Sequence, residues 1–211
     1  MDQFRYKTLI EARNYHYDNF SKWMTYFYVA IGVLVVTYFS IQNTKFANES
    51  RQFMEWLIAI LGFVVGLFLY WSSKGYYYWN IHWINLINKF EKENIENLNE
   101  RIYSVFSNKQ TNNNYFIPVN GANISTSKIT ILFGFIIAVV WGIIISYKLF
   151  SIFGFKSLWM YPFSVLVSLI VTVLISFIPQ LWLKSDLGML DDLEYYPKGH
   201  DRVIKPRHSK K

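Results

Sequence analysis

ITILFGFIIAVVWGIIISY, residues 129–147, carries no charged residue over nineteen positions and decides the fold class. The hydrocarbon core of a bilayer, roughly 30 Å thick, takes about 20 apolar residues as a helix. Three further charge-free stretches approach or exceed that length: Trp23 to Ile41, Trp56 to Ser73 and Ser157 to Leu183. Backbone N–H and C=O groups in lipid must be satisfied within their own segment, and these flat apolar runs lack the period-two alternation of a barrel strand. The expectation is an all-α integral membrane protein with four transmembrane helices in two hairpins.

Basic residues orient the spans. Lys and Arg number 4 before the first stretch, 6 between the second and third and 7 after the fourth, against 2 in each of the other two connections. Positive loops stay cytoplasmic. Both termini and the central segment should therefore face inward, leaving two short outer turns, and this orientation accounts for most of the formal charge of +7. The resulting plan is a cytoplasmic amphipathic helix over 1–22, a first hairpin over 23–73, a cytoplasmic helix and Asn-rich loop over 74–128, a second hairpin over 129–183, and a basic tail over 184–211. A polar start with Asp2, Glu11 and Asp18, followed by a span too long for a signal peptide's apolar region, predicts that the first helix is retained.

The cytoplasmic parts read as helical. From Trp79 the residues Trp83, Leu86, Ile87, Phe90, Leu98, Ile102 and Val105 recur mostly every three or four positions, with charged residues between them. That spacing predicts an amphipathic helix from about Tyr76 to Phe106, continuing the second span into the cytoplasm. Tyr6, Ile10, Arg13, Tyr17 and Phe20 repeat the pattern, so the two helices either pack together below the membrane or pack on neighbouring subunits. Trp79, Trp83 and Phe90 are the candidate oligomer contacts. Asn108 to Gly121 reads as an exposed loop, after which Ser125 or Ser127 supplies an N-cap.

Small and hydroxyl residues mark the last two spans. Thr130, Gly134, Ala138, Gly142 and Ser146 fall four apart, as do Ser164, Ser168, Thr172, Ser176 and Gln180. The first stripe reads as helix packing, because small residues let backbones approach in lipid. The second reads either as packing or as a polar pore lining, bracketed by Pro162 and Pro179. Trp23, Tyr26, Trp56, Trp71, Trp159 and Tyr161 form an interfacial belt, with membrane lipids as partners. Glu55, at the outer edge of the second span, reads as interfacial.

No chemistry stands out. With no cysteine and with His16, His82, His200 and His208 scattered, neither a metal site nor any other cofactor is expected. Lys128 lacks the spacing of a phosphate loop. No catalytic residue is assigned, and the chain is not expected to be an enzyme.

Tyr6-Lys7-Thr8-Leu9-Ile10-Glu11-Ala12-Arg13, then Phe20 and Tyr26, followed by Trp71-Ser72-Ser73-Lys74-Gly75, Trp79, Trp83 and Glu91, resembles the RipA family of octameric bacterial membrane proteins. The likeness covers about the first hundred residues, and the second hairpin, Ile129 to Leu183, is an addition to it. The family looks related to the membrane accessory proteins of RNA-targeting type VI-B CRISPR systems. The resemblance implies a homo-oligomer, an octamer in that family, of the bacterial inner membrane, forming a pore or membrane-perturbing assembly in stress response or antiphage defence. A non-conducting scaffold that recruits a cytoplasmic protein or RNA is the alternative. Some of those accessory proteins resemble HEPN ribonucleases, whose motif is R-x(4 to 6)-H. Here Arg13 and His16 stand too close together, and Arg202 and His208 enclose Pro206 within the tail. Lys205, Arg207, Lys210 and Lys211 suit attraction to anionic lipid or RNA.

Overall fold

The computed structural model describes residues 3–45, 47–97, 100–102, 125–154, 158–179 and 183. Four helices follow in order: α1 (Gln3–Gln42), α2 (Asn48–Asn94), α3 (Thr126–Ile152) and α4 (Met160–Ile175). All belong to the first of two compact units, which ends at Ser176; the second begins at Phe177. In the second, the Leu183 amide donates to the Pro179 carbonyl at 3.0 Å. The loop Asn108 to Gly121, the basic tail and Gln180 lie outside the described residues.

The amphipathic segments and the apolar stretches that they adjoin form continuous helices. α1 is 40 residues long and α2 is 47, about 60 and 70 Å at 1.5 Å per residue. Neither contains proline, and the one glycine at the inner edge of the second span, Gly75, costs a helix only about 1 kcal/mol. α2 ends at Asn94, short of the expected Phe106, with Ile95 extended. The Asn94 side-chain amide donates to the Phe90 carbonyl at 2.9 Å, and the Ile95 amide donates to the Glu91 carbonyl, so the final turn is closed locally.

α2 is the central element: α1 packs on one side of it and α3 on another, and α4 packs on α3. Apolar clusters join them. Met24, Ile31 and Leu69 form one, and Tyr38, Ala59 and Trp141 form another. Three helices, α1, α2 and α3, are long and apolar enough to cross a membrane.

α3 begins as expected, with the Ser125 hydroxyl accepting from the Lys128 amide at 3.4 Å. It ends at Phe153 followed by Gly154, whose φ of 78° is the left-handed conformation that glycine adopts without a Cβ penalty. α4 is shorter than its apolar run. Its 16 residues extend about 24 Å and stop at Ile175, not Leu183. Its last turn is closed by the Ser176 amide, which donates to the Thr172 carbonyl at 3.0 Å. The Ser176 hydroxyl donates back to the Thr172 carbonyl at 2.7 Å.

Candidate interhelical and assembly sites

The α2–α3 contact is built on missing side chains. A Cβ placed on Gly66 would lie 2.8 Å from the Ala138 nitrogen, and one on Gly134 would lie 2.7 Å from the Tyr70 nitrogen. Gly62 meets the Trp141 indole, where a Cβ would come within 2.3 Å. The backbones approach because these positions are bare. Gly62 and Gly66 form a small-xxx-small pair on α2 that the sequence reading passed over, although the spacing was there to be read. Ala138 is fully buried and Ser146 is buried with it.

Gly142 faces two ways. A Cβ there would lie 2.4 Å from the Ser168 hydroxyl of α4 and 3.3 Å from the Phe63 ring of α2. Ser168 donates across the helix pair to the Val139 carbonyl at 2.7 Å, while Ser164 donates within α4 to the Met160 carbonyl at 2.8 Å. Ser164, Ser168 and Thr172 are buried, and Ser176, half-buried, caps the helix end. The Thr172 hydroxyl makes no hydrogen bond among the described residues. Thus the hydroxyl stripe lies in the subunit's interior, with Gly142 opposite it, whereas Gly134 turns to α2.

Near the start of α2, Glu55 accepts from Lys148 of α3 and sits 3.9 Å from Arg51. Both acid and lysine side chains are largely shielded. Glu55 is therefore an interhelical tie as well as a residue at the edge of a span, and Lys148 is a partner that sequence spacing did not indicate.

The N-terminal part of α1 and the C-terminal part of α2 are joined through residues that include Tyr6, Phe20, Ser73 and Glu91 of the resemblance. Tyr6 donates its hydroxyl to Glu91 at 2.7 Å, and the same carboxylate oxygen accepts the Ile102 amide at 3.1 Å. Glu91 is fully buried, so these bonds offset the cost of removing a carboxylate from water. Tyr6 stacks on Phe90 with centroids 5.7 Å apart, and the Arg5 guanidinium lies 5.8 Å from the same ring. Phe90, a candidate oligomer contact, is buried within this chain against Tyr6 of α1. Nearer the membrane Phe20 stacks on Tyr76 at 3.6 Å and His16 stacks on it at 5.1 Å. Ser73 is buried beside Met24 and donates to the Leu69 carbonyl at 2.7 Å.

The remaining motif residues lie around this seam, with Arg13 close enough for its charge to act on Tyr76. Glu11 makes an exposed 3.8 Å pair with Lys7, a kind that contributes little. Arg13 reaches Asn14 and lies 6.0 Å from the Tyr17 ring. Lys74 lies over the Tyr70 ring, and Gly75 has open space where a side chain would go. Trp79 and Trp83 are half-buried, flanking His82 on the same helix. Burial lowers the pKa of His82 below the ordinary imidazole value, and does the same at His16, where the Tyr76 backbone partly opposes it.

Long apolar helices held by glycine contacts, with an aromatic seam carried past the apolar stretches, define a membrane-embedded helical subunit. The chain belongs to the Octameric membrane protein family (8xMP), whose profile matches residues 3–150. The match takes in α3, so the likeness extends beyond the first hundred residues and the third helix is part of the family's pattern. Comparison with curated proteins and with solved structures gives no match. The protein is accordingly a membrane protein that forms homo-oligomers.

Proposed function

We propose that the chain is a non-catalytic, ring-forming subunit of the bacterial inner membrane, assembling as an octamer into a pore or membrane-perturbing complex. Family membership over residues 3–150 is the observation that carries this reading. The RipA likeness adds the antiphage or stress setting. The basic segments favour an N-in, C-in chain in which α4 completes a second hairpin. At about 24 Å, α4 would cross with local thinning of the bilayer or with the polar ends of the helix drawn inward.

The geometry bears on where a pore would lie. Ser164, Ser168 and Thr172 face α3 within one subunit, so the polar lining of a conducting ring would come from another surface. The same burial favours a second reading, a non-conducting scaffold whose inner α1–α2 extension, with exposed Phe4, Tyr15 and Ile81, recruits a cytoplasmic partner. Reconstruction in nanodiscs together with planar-bilayer recording tests both. A closed ring with a central opening and unitary conductance is expected; a closed ring without conductance gives the scaffold, and a monomer overturns both.

A further inference from the structure

The α1–α2 seam carries a groove of about 380 Å³ on the side away from α3. Its polar wall is His16, Asn19 and Ser72, and its aromatic wall is Phe20, Trp23, Phe27 and Tyr76. The opposite side of the seam is bounded differently, by Thr126, Ser127 and Thr130 of α3. We propose that this groove binds one phospholipid with a zwitterionic, ethanolamine-type headgroup, its phosphate on Asn19 and Ser72 and its ammonium against the aromatic wall.

The level of the groove points to lipid. Trp23 opens the first charge-free stretch, and Ser72 stands at the end of the second. Asn19 lies about 6 Å and His16 about 10 Å outside Trp23, while Phe27 lies about 6 Å inside it. The headgroup layer is roughly 5–8 Å thick on each side of the hydrocarbon. Asn19, Ser72 and the stacked Phe20–Tyr76 pair therefore meet headgroups, while Trp23 and Phe27 meet the upper acyl chain.

Size and charge narrow the occupant. Pockets for single small ligands run from about 300 to 1,000 Å³, so the groove has room for a headgroup, with the acyl chains running on along the helices. No lining residue carries a formal charge at neutral pH, and burial holds the His16 imidazole toward its neutral form. The His16 Nε2 atom makes no hydrogen bond among the described residues. Uncharged donors beside four rings suit a headgroup with no net charge, its phosphate accepting from the amide and hydroxyl and its cation lying over an aromatic face. An anionic lipid would find no cation among the lining residues themselves, the charge of Arg13 reaching them only through Tyr76.

Native mass spectrometry of the full chain, titrated with palmitoyl-oleoyl phosphatidylethanolamine, the matching phosphatidylglycerol or free phosphoethanolamine, tests the assignment. The ethanolamine lipid should be retained in preference to the other two. Ser72→Phe, at an exposed position, should remove the retained lipid by filling the groove, and Asn19→Ala should weaken it roughly fivefold, as losing one hydrogen bond of about 1 kcal/mol would. Equal retention of the two lipids, or unchanged retention in both variants, overturns the proposal. The chain has no cysteine, so Ser72→Cys gives a single reactive site. A disulfide between subunits at that site would show a second copy in the groove and overturn it equally.

Discussion

Two glycine-to-alanine substitutions in α2 should move stability in opposite directions. At Gly66 the new methyl would sit 2.8 Å from the Ala138 nitrogen, 2.9 Å from its Cα and 3.1 Å from Ile137 Cγ2. The first two atoms are backbone, so no rotamer change can yield. Restoring ordinary contact requires α2 and α3 to separate by about 0.6 Å, and a gap of 0.5–1 Å forfeits a quarter to a half of each dispersion contact it opens. The neighbouring contacts at Gly62–Trp141 and Gly134–Tyr70 would loosen together with it. Overpacking of this kind costs about 1–3 kcal/mol, against which alanine returns about 1 kcal/mol of helix propensity. Gly75, outside the apolar stretch of the same helix, has nothing within 4 Å of its Cβ position, so Gly75→Ala keeps the gain without the clash.

The two variants should thus differ by roughly 1–3 kcal/mol, with Gly66→Ala the weaker. At roughly 2–4 °C per kcal/mol for a chain of this size, thermal unfolding in one detergent, followed by tryptophan fluorescence, resolves the difference. Equal shifts of the same sign would refute the close α2–α3 approach.

Tyr6→Phe should cost about 1.5–3 kcal/mol, because a hydrogen bond to a buried carboxylate is lost; a double-mutant cycle with Glu91→Gln showing additive effects would contradict the contact. His16 has a lowered folded pKa, so its neutral form favours the native seam above pH 6.5 and that contribution disappears as pH falls through the folded value. Melting temperature should decline on acidification below pH 6.5, and His16→Gln should flatten the decline; an unchanged slope would remove His16 as the cause. For topology, single cysteines at Lys45 and Asn113 should label from the outer and inner faces respectively, and labelling of both from one face would break the four-span plan. Thr172→Leu, inside the α3–α4 contact, should lower thermal stability by about 1–3 kcal/mol and leave any conductance per channel unchanged. A selective drop in conductance would place that side chain on water.

The apolar runs and charge asymmetry made the helices legible, because lipid leaves the backbone few solutions. Their ends were less so. Charge marks where a membrane stops, but a helix stops only where its hydrogen bonding fails. The continuity of α1 past Trp23 and of α2 past Ser73 is permitted by the absence of proline. α2 ends where Ile95 turns extended and its carbonyl accepts from the Arg101 side chain, a turn that the apolar period, running on to Val105, concealed.

Periodicity also showed that α3 has a small-residue face without showing what that face meets. Gly134, Ala138 and Gly142 fall on one slowly rotating stripe, and that rotation carries Gly134 to α2 while Gly142 reaches both α2 and Ser168 of α4. One stripe therefore serves two neighbours. The discriminating signal was Gly62 and Gly66, a second small-residue pair with no other assignment. Glu91 gives the converse case: at an apparently polar position in an amphipathic helix it is fully buried, with the distant Tyr6 hydroxyl and the Ile102 amide among its partners. These contacts tie the start of α1 to the end of α2, a pairing 85 residues apart in the chain that no local period displays.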